Sequence, residues 1–262
     1  MPVKTIIVDG DKGGVGKSLV TRAIVDLYLN AEEVGIGSRR YRLAVYDADR
    51  RNPDVCGHGG YTVHDRIVAA DLVVLDSEAG WIDFGNRLEP ILRLGRADDT
   101  DVRIIVSMPA QIGQVFDGSV PLVNTLLQGL HAVPVWVLSR TRECVTALED
   151  RVRAYPAQYA AGVAVRNLFF GDREKFAIWQ ASDLRQTLVQ EGQWSDVILP
   201  EMNDLVFERI GRTPFHVAAQ TGTQSGPLGW GEHTALSAWR HTAWDSLRRI
   251  EAIPPGARHE PA

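Results

Sequence analysis

The sequence predicts an α/β protein with a mainly parallel sheet and helices on both faces, and three observations lead to this fold class. Short apolar runs that suit buried strands alternate with longer segments whose apolar residues recur at helical spacing. A glycine-rich stretch separates the first of these strands from the first helix. Polar residues follow directly after several strands, which is where parallel sheets bind their ligands.

Length and composition favour a single globular domain over residues 1–262. The chain is 45% hydrophobic and 23% charged, which suits a folded core rather than a disordered chain. Its net charge of −5 argues against a broad nucleic-acid-binding surface but leaves room for a local basic patch.

Cysteine use and apolar runs indicate where in the cell the protein is located. Cys56 and Cys144 are far apart and lack the spacing of a zinc site or a redox pair, as expected in a reducing cytosol. The chain opens on a strand-like run with no signal-peptide pattern, and no apolar run approaches the ~18 residues of a membrane span. We therefore expect a cytoplasmic protein without a membrane span.

The glycine-rich stretch at residues 10–18 reads Gly-Asp-Lys-Gly-Gly-Val-Gly-Lys-Ser and lies between a strand at 3–8 and a helix. Its glycines let the backbone approach a ligand, and their N–H groups with the helix N-terminus form a site for an anion. Lys17 can reach the β- and γ-phosphates of a nucleotide, and the Ser18 hydroxyl can bind Mg²⁺. Asp11 occupies the position where the strict phosphate-loop pattern has glycine.

Acidic residues follow two of the next predicted strands. Asp47 and Asp49 come after a strand at 41–46, where they can support Mg²⁺ and orient an attacking water, or can merely cap the turn that follows. Asp76 follows a strand predicted at 72–75, a position suited to holding Mg²⁺ through water. Residues 55–61 are predicted to form a mobile loop, in which Cys56 and His58 lack further metal ligands.

The remaining elements are predicted from apolar spacing. The predicted strands are 102–106, 133–138 and 163–170, and the predicted helices are 113–130, started late or interrupted by Pro121, 143–161 and 173–192. A loop at 221–232 precedes a helix at 233–252, whose apolar face we expect to pack on the sheet rather than on a membrane. Residues 256–262 are expected to be disordered.

Several of these segments resemble one family. Residues 12–18 resemble the deviant Walker A sequence of the ParA/MinD ATPases, in which the first lysine, here Lys12, is a signature residue. Residues 47–49 and 76–80 resemble the switch I and switch II segments of that family, with Glu78 in place of the usual proline. Residues 198–214 resemble the segment that surrounds the adenine, so the resemblance runs in family order from residue 3 to about 216.

The resemblance implies a P-loop NTPase with the deviant Walker A motif that binds ATP or ADP with Mg²⁺. In the family, Lys12 reaches the nucleotide of the partner subunit in a dimer, Asp47 supports the metal and Asp49 positions the water. The implied nucleotide-binding residues are Gly13, Gly14, Val15, Gly16, Lys17, Ser18, Leu19, Ser139, Arg140 and Pro200, and the implied metal-binding residues are Ser18, Asp47 and Asp76. Ser139 replaces the asparagine that usually reads the base, so the preference for ATP over GTP is less secure.

The resemblance also implies a function. We expect slow, partner-stimulated ATP hydrolysis by a nucleotide-dependent homodimer that switches partition, positioning or plasmid transfer, as in the plasmid-encoded branch with TraL-like and mobilisation proteins. A protein partner would stimulate hydrolysis or set the location. One group of arginines is open to two interpretations, a solvated surface or a patch through which the ATP state binds DNA non-specifically. These arginines are Arg39, Arg40, Arg42, Arg50 and Arg51. The alternatives are a small-molecule P-loop kinase or ligase, and an ATP-binding scaffold with little hydrolysis.

Overall fold

The structure is a computed structural model that describes residues 3–37, 41–97, 101–109 and 113–254, without the side chains of 96–97 and 113–120. The predictions for Arg39, Arg40 and residues 256–262 therefore lie outside the described residues. Within the described ranges, no helix is long and apolar enough to cross a membrane.

Seven strands form one sheet in which every paired strand is parallel, in the order β3-β2-β4-β1-β5-β6-β7. The predicted α/β fold class is therefore confirmed. The strands are β1 (Val3–Asp9), β2 (Arg42–Asp47), β3 (Ile67–Leu72), β4 (Val102–Ser107), β5 (Ala132–Leu138), β6 (Ala161–Asn167) and β7 (Gln193–Leu199).

Helices connect these strands. Their bounds are α1 (Lys17–Leu29), α2 (Ala31–Val34), α3 (Glu78–Ala97), α4 (Gly113–Gly129), α5 (Arg142–Ala154), α6 (Ala177–Gln180), α7 (Asp183–Arg185), α8 (Asp204–Ile210), α9 (Phe215–Gln220), α10 (Trp230–Leu247) and α11 (Arg249–Ala252). Shorter turns are the 3-10 helices Leu168–Phe170 and Arg173–Phe176 and the π-helix Gln186–Gln190.

The core lies on both faces of the sheet because side chains alternate along each strand. On β1, Ile6 and Val8 join the core under α1, α9 and α10, whereas Ile7 joins the core under α3, α4 and α5. Both cores consist mainly of aliphatic and aromatic side chains, as expected for a parallel sheet covered on two sides. The sheet is thus held rigidly between two helical layers, and the carboxyl ends of its strands carry the loops described below.

The strand predicted at 72–75 is wrong, because the third strand is β3 at Ile67–Leu72. Leu72 pairs with Asp47, the last residue of β2, so the ladder with β2 ends there. Val73 still donates its N–H to the carbonyl of Asp47, and Val73 and Leu75 are buried. Residues 73–75 of this apolar run are therefore the segment that follows an edge strand, and they are not part of the strand.

Other boundaries also differ from the predictions. The helix predicted at 143–161 ends at Ala154, because Pro156 disfavours helical geometry at Tyr155. The strand predicted at 163–170 ends at Asn167, whose side chain caps the 3-10 turn that follows. The helix predicted at 173–192 is divided into four short turns, and α4 runs through Pro121 instead of starting late.

The helix predicted at 233–252 is observed as α10 and α11, and it packs on the protein. Its predicted apolar face is buried at Leu236, Trp239, Ala243, Leu247 and Ile250. Lys4 on β1 donates to the carbonyls of Ile250, Glu251 and Ile253 at 2.8–3.2 Å. These contacts attach α11 and the residue that follows it to the first strand.

Candidate functional site

The loop between β1 and α1, predicted as the phosphate-binding loop and called so below, contains two glycines in a left-handed backbone conformation. Gly14 and Gly16 have φ of 82° and 96°, a left-handed conformation that favours glycine. A Cβ on Gly16 would lie 2.3 Å from Nδ2 of Asn167, so a side chain there would clash as well. The loop thus requires glycine at Gly16 for two independent reasons.

Lys17 lies at the start of α1 and faces the inside of this loop. Its Nζ donates to the backbone carbonyl of Lys12 at 3.0 Å, and its exposed fraction is only 7%. Burial lowers the pKa of Lys17, while the nearby carboxylates of Asp9 and Asp49 oppose that shift. Lys12 itself is exposed, so its ammonium group is accessible from outside the subunit.

A cleft of about 500 Å³ opens in front of the loop. Its wall on one side is the phosphate-binding loop and the first turns of α1, and its other walls come from the loop after β2 and from the end of α8. The volume lies in the range of small-molecule and cofactor sites. The lining residues are Gly13, Gly14, Gly16, Lys17, Ser18, Leu19, Arg22, Asp49, Asn52, Asp54, Met108, Phe207, Gly211 and Arg212.

Asp49 lines this cleft, whereas Asp47 is fully buried and is not among the lining residues. Oδ1 of Asp47 accepts the N–H of Asp49 at 3.0 Å, and Oδ2 accepts the N–H groups of Val55 at 2.9 Å and Cys56 at 3.4 Å. Burial raises the pKa of Asp47, and these hydrogen bonds oppose the shift. In this structure the carboxylate of Asp47 therefore fixes the loop after β2, and its role at a metal stays a prediction.

Residues 55–61, predicted to be mobile, are attached to the core at three points. Asp47 holds Val55 and Cys56, the Sγ of Cys56 contacts the carbonyl of Val45 at 3.5 Å, and the Tyr61 hydroxyl donates to the carbonyl of Arg22 at 3.1 Å. Burial raises the pKa of Cys56 to about 12, so its thiol is protonated and unreactive at neutral pH. Among the described residues, no group of three or more metal-ligating side chains is present.

Asp76 is not among the residues that line the cleft. It is exposed and follows β3, and β2 and β4 separate β3 from β1. The strand next to β1 is β4, which ends at Ser107, and the following residue, Met108, lines the cleft. The sequence predicted this strand, but no site residue was selected at its end, because that end carries no carboxylate.

The three residues expected near the base do not line this cleft. Ser139 is buried, with its Oγ 3.3 Å from Oγ1 of Thr141, and Arg140 is exposed. Pro200 borders a separate cavity of about 290 Å³ and accepts a hydrogen bond from Nε1 of Trp239 at 2.8 Å. Their role in nucleotide binding stays a prediction.

Two residues that the sequence analysis did not select support the site. Nδ2 of Asn167, at the end of β6, donates to the carbonyl of Val15 at 3.0 Å, and its Oδ1 accepts the N–H of Phe169 at 3.2 Å. Arg212 forms an ion pair with Asp54 at 2.9 Å across one side of the cleft. The polar Asn167 at the end of an apolar run was the one available signal.

The arginines proposed for DNA are exposed where they are described. Arg42, Arg50 and Arg51 are all exposed, and Arg42 donates to the carbonyl of Asp65. Their contact with DNA stays a prediction.

The fold and the loop define the class: this is an α/β protein with a parallel sheet, in which the loop between β1 and α1 resembles the ParA/MinD form of the Walker A sequence. No protein-family model matches the chain. The chain is 30% identical over 248 residues to protein MobD of Acidithiobacillus ferrooxidans. The aligned region covers 93% of this chain and 96% of that protein. The chain therefore belongs to the MobD family.

A comparison of structures finds a chain from an ATP complex of a Cyanothece McdA variant. The sequence identity is 11%, the TM-score is 0.47, and the match covers 98% of this chain and 99% of that chain.

Proposed function

We propose that this protein is a Mg²⁺-dependent ATPase of the ParA/MinD type, which closes a homodimer around ATP and opens it after hydrolysis. The observation that carries the proposal is Lys17, a buried cation with no carboxylate ion pair among the described residues, which lines a 500 Å³ cleft beside a glycine-rich loop. A buried ammonium group of this kind needs an anion, and a nucleotide phosphate supplies one.

The cleft suits the reaction chemically. The loop N–H groups and Lys17 would hold the phosphates, the Ser18 hydroxyl would contribute to the metal site, and Asp49 would orient the attacking water. The oxygen donors of Ser18 and Asp49 both line the cleft, and oxygen is the donor atom that Mg²⁺ prefers. Bound Mg²⁺ would neutralise charge that develops on the phosphates.

Lys12 supports the dimeric form of the proposal. It belongs to the same loop, yet it is exposed, whereas Lys17 is buried against the carbonyl of Lys12. One lysine thus serves its own nucleotide, and the other is free to reach the nucleotide of a second subunit. Hydrolysis would be slow and stimulated by a protein partner, and the switch would serve partition, positioning or plasmid transfer.

The test is the molar mass in solution, measured by light scattering with ADP–Mg²⁺ and with a non-hydrolysable ATP analogue. We expect the parent to be monomeric with ADP and dimeric with the analogue, and Lys12→Ala to remain monomeric with both. Lys175→Ala, which removes an exposed lysine outside the cleft, is the matched control and should dimerise like the parent.

A mass that responds neither to nucleotide nor to Lys12→Ala would rule out the sandwich-dimer mechanism. A monomeric P-loop enzyme or a static ATP-binding scaffold would then replace it. A phosphoryl acceptor assay and a hydrolysis assay would separate those two.

A further inference from the structure

Two buried cationic side chains of the described residues form ion pairs with a carboxylate, and two do not. Among the described residues, the buried cationic side chains are Lys4, Lys17, Arg22 and Arg103. Lys4 and Arg103 share the carboxylate of Glu251, which lies on α11. Lys17 and Arg22 instead donate to backbone carbonyls, and both of them line the 500 Å³ cleft.

Arg22 is enclosed but incompletely bonded. Its exposed fraction is 4%, its Nη2 donates to the carbonyl of Thr213 at 2.8 Å, and its guanidinium lies 4.6 Å from the ring centroid of Phe215. Its Nε is buried without a hydrogen-bond partner in the described part of the chain. A carbonyl and an aromatic ring orient this group without neutralising its charge.

The two carboxylates that act on the charge of Arg22 already form ion pairs with other arginines. Asp54 and Asp26 both act on the charge of Arg22. Asp54 pairs with Arg212 at 2.9 Å, and Asp26 pairs with Arg240 at 2.8 Å. Neither forms an ion pair with Arg22 within the described ranges, so the protein leaves this guanidinium without a counter-ion of its own.

Arg22 lies on α1 close to the start of the helix, where the phosphates are proposed to bind. It lies four residues after Ser18, so the two residues share one face of the helix, about 5–6 Å apart. Side chains of an α-helix tilt toward its N-terminus, which directs Arg22 toward the turn that carries Ser18 and Leu19. An anion bound at the start of α1 would therefore lie on the side to which Arg22 extends.

We propose that Arg22 is a further anion-binding residue of this site and takes the phosphate oxygens of the bound nucleotide as its counter-ion. A buried charge without a counter-ion is costly, and a planar guanidinium suits phosphate because it can donate two parallel hydrogen bonds. The inference rests on the proposed nucleotide function, and it names the chemical class that Arg22 recognises, a polyphosphate chain.

The test measures binding of two probes, ATP–Mg²⁺ and inorganic tripolyphosphate, by titration calorimetry. Arg22→Met keeps the length and apolar stem of the side chain but removes its charge. Arg93→Met removes the same charge from an exposed site on α3 outside the cleft and is the matched control. Thermal unfolding without ligand confirms that each variant is folded at the titration temperature.

We expect Arg22→Met to weaken both probes at least tenfold, and Arg93→Met to bind both like the parent. The unfolding midpoint of ligand-free Arg22→Met should stay level or rise, because an uncompensated buried charge is removed. If Arg22→Met does not fold, Arg22→Gln, which keeps an amide donor for Thr213, carries the same expectation for both probes.

Unchanged tripolyphosphate affinity in a folded Arg22 variant would overturn the inference and leave Arg22 as a support for Thr213 and Phe215. Loss of ATP affinity alone, with tripolyphosphate unaffected, would also overturn it, because the contact would then be to the nucleoside. A parent protein that binds neither probe would overturn the proposed function itself, so the two failures are distinguishable.

Discussion

Two lysines of one short loop have opposite environments, and this difference shapes the candidate site. Lys17 is 7% exposed and turned inward to the carbonyl of Lys12, while Lys12 is exposed. When a phosphate binds, the ammonium group of Lys17 can replace its hydrogen bond to a neutral carbonyl with one to a charged oxygen. Lys17 should therefore contribute strongly to nucleotide binding.

We therefore expect Lys17→Ala to weaken ATP–Mg²⁺ binding by about 10- to 100-fold, since a hydrogen bond to a charged group contributes about 1.5–3 kcal/mol. Titration with a fluorescent ATP analogue measures the effect. Lys175→Ala should bind like the parent. Equal affinity of Lys17→Ala and the parent would mean that the loop is not the phosphate site.

Asn167 connects the phosphate-binding loop to the sheet. Replacing it with alanine leaves the carbonyl of Val15 without its donor and opens space next to Gly16, so the loop should lose its fixed conformation. We expect about 1–3 kcal/mol lower unfolding free energy and several-fold weaker ATP binding. Ser182→Ala is the matched control, because Ser182 also accepts a backbone N–H through its side chain, from Arg185 at the start of α7, and lies outside the cleft.

Urea unfolding and ATP titration of both variants separate the two roles. Ser182→Ala should lose stability without losing affinity. If Asn167→Ala retained the affinity of the parent, Asn167 would be a capping residue of the 3-10 turn only.

The residues of the loop were predictable from sequence because a phosphate-binding loop is local: nine consecutive residues specify its turn and its helix start. Asn167 and Arg22 were not predictable in the same way. Their contacts to Val15 and Thr213 join positions 152 and 191 residues apart in the chain. A single sequence does not encode such distances in any local pattern.

At the scale of elements, α9 and the loop after β2 pack on each other through aromatic rings. Tyr61 stacks on His216 at 6.1 Å between ring centroids, and His64 lies 6.0 Å from His216. Burial first, and then the charges of His64, Arg240 and Arg66, lower the pKa of His216 to about 4. The imidazole is therefore neutral in the folded protein at neutral pH.

Acid should loosen this contact. The unfolded state binds a proton at His216 near pH 6.5, whereas the folded state binds it only near pH 4, so stability is present above about pH 6.5 and is lost as the pH falls toward 4. We expect His216→Gln to remove about 1–3 kcal/mol of that acid sensitivity. His233→Gln, at an exposed position of α10, should keep the slope of the parent.

Urea unfolding midpoints between pH 4 and pH 7 test this expectation. Parallel pH profiles of the parent and His216→Gln would show that His216 is protonated equally in both states, contrary to its buried position.

The element boundaries show where sequence reasoning fails. The buried central strands were located within a residue or two because apolar runs define them, as for β4 and β5. The edge strand β3 was predicted several residues too late. Its Asp71 interrupts the apolar run, whereas the buried residues after Leu72 continue it. Burial and strand pairing coincide in the centre of a sheet and separate at its edge.

At the scale of the whole molecule, the arrangement of the strands decides which acidic residue can act in the cleft. Asp49 follows β2 and lines the cleft, whereas Asp76 follows the edge strand β3 and is exposed. Both follow apolar runs, so the sequence predicted that both lie at the site, Asp49 at the water and Asp76 at the metal. The order of strands in the sheet, which a single sequence does not specify, distinguishes them.

Asp49→Ala should therefore slow ATP hydrolysis by about 100-fold or more while ATP-dependent dimerisation persists, because a carboxylate that orients the attacking water and accepts its proton contributes about 10²–10⁴-fold. Release of phosphate at saturating ATP–Mg²⁺ measures turnover, and light scattering measures the dimer. Asp245→Ala, an exposed carboxylate on α10, is the control and should turn over like the parent.

Asp76→Ala in the same assay tests the metal role that the sequence implies. A loss of turnover that excess Mg²⁺ restores would show that the switch II segment moves to the nucleotide when the dimer closes, because in this structure Asp76 does not line the cleft. Parent-like turnover of Asp76→Ala, with the slow turnover of Asp49→Ala, would instead leave Asp49 as the acidic residue that acts on the water. If Asp49→Ala turned over like an active parent, Asp49 would have no part in hydrolysis, and another group would have to orient the water. Only a parent that binds ATP and releases no phosphate would favour the scaffold alternative, because such a cleft holds the nucleotide without cleaving it.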